Sequence, residues 1–288
     1  NKNEDKLKQK IAMRYFRFVP LVLTASLVAY LLLALELCPL EKFYDITGNT
    51  WGLAMIENEF TFGEALEIGL FRCFFERTHL VSPFWCMFYI FLGSMLSFVM
   101  MLLYTKIDNK IFFFGSAIVL FYFVDQNYLA FIIGLIAGII ANKEYSLSKW
   151  KGALLVAVGC VLGLFPPVLL PSFIDIVTLY ALGAGFVIVG IHCCFSNNRL
   201  LCNKFAEFLG KESLALIVWQ FLIMQSLNIF LYNSFHSAGM SNPMNIAINF
   251  GINAALSLFL TWVSSKTITP LTNYLCRQMS ALLWRKSK

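Results

Sequence analysis

Six of the first seventeen residues are basic (Lys2, Lys6, Lys8, Lys10, Arg14 and Arg17), and no charge follows from Phe18 to Ala34. A basic flank abutting an apolar run long enough to cross a bilayer reads as a cytoplasmic anchor leading into a transmembrane helix. The pattern recurs along the chain. Continuous apolar runs predict spans over 16–38, 84–105, 111–124, 127–142, 152–170, 172–195, 214–234 and 244–265. The third and fourth are short for an upright crossing and turn at Asp125, Gln126 and Asn127, so a tilted or re-entrant hairpin fits them as well.

The expected fold is therefore all-α, a polytopic transmembrane helix bundle of about eight spans. Strands of an outer-membrane barrel would alternate in hydrophobicity, and these runs do not. Composition agrees: 59% of the 288 residues are hydrophobic, 13% are charged, and the mean hydropathy is +0.73. So apolar a chain cannot hide its hydrophobic side chains inside a water-soluble globule.

Lys and Arg sort between the loops as insertion requires. Of the 22 in the chain, the loops assigned outside carry Lys42, Arg72 and Arg77 alone. Both termini are therefore expected in the cytoplasm. The net charge of +6 is absorbed by these loops, and no nucleic-acid partner is expected; the lipid bilayer is the partner the charges describe. The chain starts at Asn1 rather than Met with no cleavable signal before the first span, which predicts an N-terminally incomplete sequence.

Residues 39–82 form the one long external connection, an extracytoplasmic loop rich in acids and aromatics. Its stretch TFGEALEIGLFRCFF has apolar residues at helical spacing and predicts an amphipathic helix lying along the outer face. Phe165-Pro166-Pro167 to Pro171-Ser172 predicts a tight proline turn. The eight cysteines are scattered, without a CxxC pair or a His cluster, so no metal site or disulfide framework is expected.

Polar residues inside spans are candidates for function or for interhelical hydrogen bonding: Glu36, Asp175, Gln220, Gln225, Asn228, Asn249 and Asn253. Arg14 and Arg17 stand three apart on the approach to the membrane, with Pro20 just inside. Two guanidiniums on one face suit an anion such as a phosphate, and equally suit plain anchoring. His79, His192 and His236 fit no HxxxD, HExxH or Ser/His/Asp spacing. On the residues alone a transporter, a lipid-modifying enzyme and a non-catalytic membrane partner all survive.

Four phrases in order, KIAMRYFRFVP, SPFWCMFYIFLGSML, YLAFIIGLIAGIIAN and FLGKESLALIVWQFLIM, together resemble the acyltransferase-3 family of integral membrane acyltransferases. Its members move acyl groups, often acetyl from acetyl-coenzyme A, onto extracytoplasmic carbohydrates or lipids. The resemblance covers essentially the whole chain and implies one transmembrane domain over 1–288 in the cytoplasmic (plasma) membrane. It implies acyl-CoA, such as acetyl-CoA, as cosubstrate with no bound cofactor, and a glycan (cell-surface polysaccharide) or lipid as acceptor. Arg14 and Arg17 would bind the donor; Trp85, Gly93, Ser94 and Gln220 would line the pocket. Family members usually have ten helices with a general-base His in the first, so the catalytic His is expected upstream of Asn1. Three departures remove titratable groups: Ile90 and Thr269 replace acids, and Gln220 replaces a His. They keep open a non-catalytic transporter or scaffold for a lipid or glycan on the same fold.

Overall fold

The computed structural model describes residues 2–50, 60–78, 80–81, 83–142, 148–170, 175–195 and 202–283. His79, Pro171, Ser172, Lys143, Arg199 and residues 51–59 of the long loop lie outside the described residues. The described chain is helical throughout, with 85% of residues in helices and no strand. The helices are α1 (Lys2–Ala12), α2 (Arg14–Ala34), α3 (Leu40–Thr47), α4 (62–75), α5 (Phe84–Tyr104), α6 (Lys110–Val124) and α7 (Leu129–Asn142). They continue as α8 (Lys149–Gly163), α9 (Ile176–Phe195), α10 (Lys204–Lys211), α11 (Ser213–Ser237), α12 (Asn242–Lys266) and α13 (Ile268–Leu283).

Five helical stretches are long and apolar enough to cross a membrane: Leu7–Ala34, Phe84–Tyr104, Ile176–Cys194, Ser213–Ser237 and Asn242–Leu283. Lys110–Val124 and Gln126–Ala141 are shorter apolar helices that meet at Asp125, whose carboxylate accepts from the Asn127 amide at 3.0 Å. The span expected over 152–170 closes early. Its helix stops at Gly163, because Pro166 and Pro167 offer no backbone N–H and set a short 3-10 turn, Pro167–Leu169.

Which side chains are buried reverses the rule for soluble helices. Every buried residue of α12 is polar: Asn245, Asn249, Asn253, Ser257, Thr261 and Ser264. Its opposite face shows Met244, Ile246, Phe250, Phe259 and Trp262 to the exterior, Phe250 at 73% exposure. In water that arrangement would forfeit the burial of five large apolar side chains; in hydrocarbon it costs nothing, and the polar face finds partners inside. This is a membrane protein's pattern.

The structure divides into two compact units, residues 1–7 with 92–208, and 8–91 with 209–288. In the first, α8 and α9 pack through glycines. A Cβ on Gly159 would stand 2.6 Å from the Gly183 carbonyl, and one on Gly190 2.8 Å from the Gly152 carbonyl, so only hydrogen lets the backbones approach so closely. α7 joins them at Gly185, where a Cβ would meet Ile133 at 2.8 Å.

In the second unit α2 is the axis. α11 runs parallel to it. Glu212 and Ser213 lie near Arg14 at one end, and Ile229 and Asn233 meet Leu40 and Pro39 at the other. α12 returns antiparallel to α11, and α13 packs beside α2 and reaches the end of α1, where Gln9 donates to the Ser280 hydroxyl.

The helix read as lying along the outer face takes another course. α4 (Phe62–Glu67, a π turn at Ile68–Arg72, then Cys73–Phe75) runs antiparallel along α2. Phe62 meets Tyr30, the Ser26 hydroxyl donates to the Ala65 carbonyl at 2.5 Å, and the Tyr15 hydroxyl donates to the Leu70 carbonyl at 2.6 Å. From Tyr30 to Tyr15 is roughly 22 Å of helix. Gly69 permits this path, since a Cβ there would stand 2.8 Å from Leu23 Cα. The start of α4 is fixed by a capping box: Glu64 N–H donates to Thr61 Oγ1 at 3.2 Å, and Thr61 N–H donates to Glu64 Oε2 at 2.8 Å. The backbone hydrogen bond from Thr61, followed by that of its hydroxyl, holds the Glu64 carboxyl below the usual carboxylate range.

Candidate functional site

The second unit holds a cavity of about 410 Å³ at the shared end of α2, α11 and α13. Four segments build it. The first turns of α2 supply Arg14, Arg17, Phe18 and Leu21; α5 supplies Ile90; the α10–α11 junction supplies Lys211, Glu212, Ser213 and the first turn of α11; Ser264, Ile268, Thr269, Thr272 and Asn273 close it from α12 and α13.

Helical spacing puts Arg14 and Arg17 on one face, and the backbone offset of three is what allows both to reach one cavity. The Arg14 guanidinium stands 5.0 Å over the Phe18 ring, which orients it along the wall. Lys211 adds a third cation. Among the described residues Glu212 is the one carboxylate lining the cavity, and its two oxygens accept from the Thr269 hydroxyl at 3.1 and 3.3 Å. It directly precedes the first residue of α11, where the helix dipole favours negative charge. Phe18, Leu21, Ile90, Ala215, Ile217 and Ile268 add apolar lining to the same cavity. A cavity lined by three cations, one held carboxylate and several apolar side chains suits a ligand that carries both phosphates and apolar groups.

A second polar feature follows α11 and α12 away from the cavity. Trp219 Nε1 donates to Ser264 Oγ at 2.6 Å, Asn253 Nδ2 to the Gln220 carbonyl at 3.2 Å, Asn228 Nδ2 to the Asn249 carbonyl at 3.2 Å, and Asn245 Nδ2 to the Tyr232 carbonyl at 3.0 Å. Residues 245 to 264 cover roughly 28 Å of helix, about the thickness of a hydrocarbon core. Within this stretch α11 carries a π turn, Met224–Asn228.

The expected site residues divide. Arg14 and Arg17 line the cavity, as do Ile90 and Thr269. Trp85, Gly93, Ser94 and Gln220 are not among its lining residues. Trp85 is 47% exposed; Gly93 sits where a Cβ would strike the Phe131 ring; Ser94 is buried; Gln220 is exposed and contributes its carbonyl to Asn253. Gln220 and Gln225 differ in burial, the first exposed and the second 1% exposed. Lys211, Glu212, Ser264 and Thr272 escaped the sequence reading. Glu212 had a signal in the Lys-Glu-Ser run that opens a span, but its partner Thr269 lies 57 residues on. His192 and His236 do not line the cavity, and among the described residues no group of three or more His, Cys, Asp or Glu could hold a metal ion.

No protein-family profile, no curated protein and no solved structure matches this chain.

Proposed function

We propose that this chain is a membrane-embedded acyltransferase of the acyltransferase-3 kind, carrying an acetyl or similar acyl group from acyl-CoA to a hydroxyl of an extracytoplasmic glycan or lipid in the cytoplasmic membrane. The observation that carries the reading is convergence. Arg14 and Arg17 of the basic phrase, Ile90 of the Trp-Cys-Met stretch, Ser213 of the Leu-Gly-Lys-Glu-Ser phrase and Thr269 near the final Pro are far apart in sequence yet line one cavity.

Arg14 and Arg17, with Lys211, would hold the donor's phosphates through charge-assisted hydrogen bonds. The apolar lining would take the pantetheine arm and the acyl chain. In the transfer the acceptor oxygen bonds to the thioester carbonyl carbon, the carbon–sulfur bond breaks, and coenzyme A leaves as a thiolate that takes up a proton. The acceptor's own proton needs a base, because an unassisted hydroxyl is a poor nucleophile at neutral pH. Glu212 fills that role in this reading, aimed by Thr269, which requires the acceptor hydroxyl to enter the bundle as far as the basic cavity. Purified chain in lipid nanodiscs with radiolabelled acetyl-CoA tests it: label is expected to move to an acceptor or to water. Arg14→Ala with Arg17→Ala should raise KM for the donor at least tenfold, and Glu212→Gln should lower kcat with KM kept. Neither binding nor turnover would sink the reading.

A non-catalytic role, as transporter or scaffold, is favoured by Ile90 and Thr269, which bring no titratable group to positions facing the cavity. Saturable donor binding without any turnover would select it.

A further inference from the structure

We propose that the π turn Met224–Asn228 together with Asn249 forms a second, uncharged binding site inside the membrane, one that takes a hydroxyl group from water or from a polyol. The inference stands apart from the reading of the basic cavity. Gln225 lies 12 residues beyond Ser213 along α11, roughly 18 Å away, and is not among the residues lining that cavity.

Gln225 is 1% exposed, and neither its Nε2 nor its Oε1 has a hydrogen-bond partner among the described residues. The other buried amides nearby behave differently. Asn228, Asn233, Asn245, Asn249 and Asn253 each donate at least one bond that ties helices or turns together, as structural glue does. Gln225 ties nothing. An amide with both ends unmet in hydrocarbon surroundings is destabilising unless something meets it.

The neighbouring groups say what that something is. Asn228 binds the turn to α12 at Asn249, and the Oδ1 atoms of both asparagines are buried without a partner among the described residues. Asn249 Nδ2 is already engaged by Asn245 Oδ1 at 2.7 Å. The unmet atoms of the turn and of Asn249 are three carbonyl acceptors and one amide donor, with no formal charge. A hydroxyl, which donates and accepts at once, fits that set; a cation would be repelled by the Gln225 NH2 group, and an anion would face three carbonyl oxygens. The π turn supplies the geometry, because one extra residue per turn swings side chains off the regular helical face, and such turns gather at functional sites.

The experiment uses the full chain in nanodiscs with 15N in its glutamine side chains. There are five glutamines, Gln9, Gln126, Gln220, Gln225 and Gln278. The Gln225 resonance is the one lost in Gln225→Leu, or moved in Gln225→Asn should the first variant not fold. Magnetisation transfer from water to the Gln225 amide is expected, or a saturable shift of that resonance when glycerol is added. Transfer unaffected by glycerol assigns the site to water; a saturable shift assigns it to a polyol. A Gln225 amide that shows neither overturns the proposal. No acyl donor enters the experiment, so its failure leaves the reading of the basic cavity standing.

Discussion

At the scale of single residues the cavity rests on a few side chains whose partners lie far off in sequence. Arg14 and Arg17 were legible because one helical turn relates them and nothing else is needed to put them on one face. Glu212 was not, since its orientation comes from Thr269 on a different helix. If Glu212 takes up a proton during acyl transfer, the Thr269 hydroxyl is a positioning group. Thr269→Val then removes the hydrogen bond and lets the carboxylate swing. Loss of one hydrogen bond to a charged group is worth about 1.5 kcal/mol, so kcat should fall roughly tenfold. KM for the acyl donor should hold, and Thr269→Ser should restore the rate. Equal losses in KM and kcat would show that Thr269 serves the fold instead.

At the scale of elements the helices were legible wherever a charge-free run was long, because in a bilayer length and hydropathy alone decide what can cross. The ends were less so: α8 stops at Gly163 rather than 170, since the residues before the prolines already leave the helix. α13, which follows α12 after a break at Thr267, was not foreseen, and α4, a helix where the spacing predicted one, passes along α2 instead of along the outer face. Both depend on contacts with α2 that no local pattern records. The glycines of α8 and α9 offer a direct test. Gly159 faces the Gly183 carbonyl, whereas a Cβ on Gly163 would meet nothing within 4 Å. Gly159→Leu must push two backbones apart and should destabilise by about 1–3 kcal/mol or more, read as a lowered Tm in nanodiscs. Gly163→Leu, one turn on, should leave Tm unchanged. Similar losses at both would mean that helix propensity, not close approach, is what these glycines provide.

At the scale of the whole molecule, charge decides which way the chain faces. Three cations, Lys42, Arg72 and Arg77, stand apart from the rest when the long loop is taken as external throughout. The course of α4 changes that grouping. Phe71, beside Arg72, stacks with Tyr15 at 6.4 Å, and the Arg77 guanidinium lies 5.1 Å over the ring of Tyr89, the neighbour of the cavity residue Ile90. Arg72 and Arg77 thus belong to the end of the second unit where Arg14 and Arg17 sit, while Lys42 in α3 sits at the end where Phe43 meets Tyr232. The positive-inside rule predicts that this basic end stays in the cytoplasm, which would account for both arginines. In intact cells a membrane-impermeant maleimide should label Lys42→Cys above the background of the native cysteines. It should reach Arg72→Cys and Arg77→Cys only after permeabilisation, as antibodies should reach tags at both termini only then. Labelling of Arg72→Cys from outside would return α4 to the external surface. The buried position of Gly69 against Leu23 would then need an opening of that contact in the living membrane.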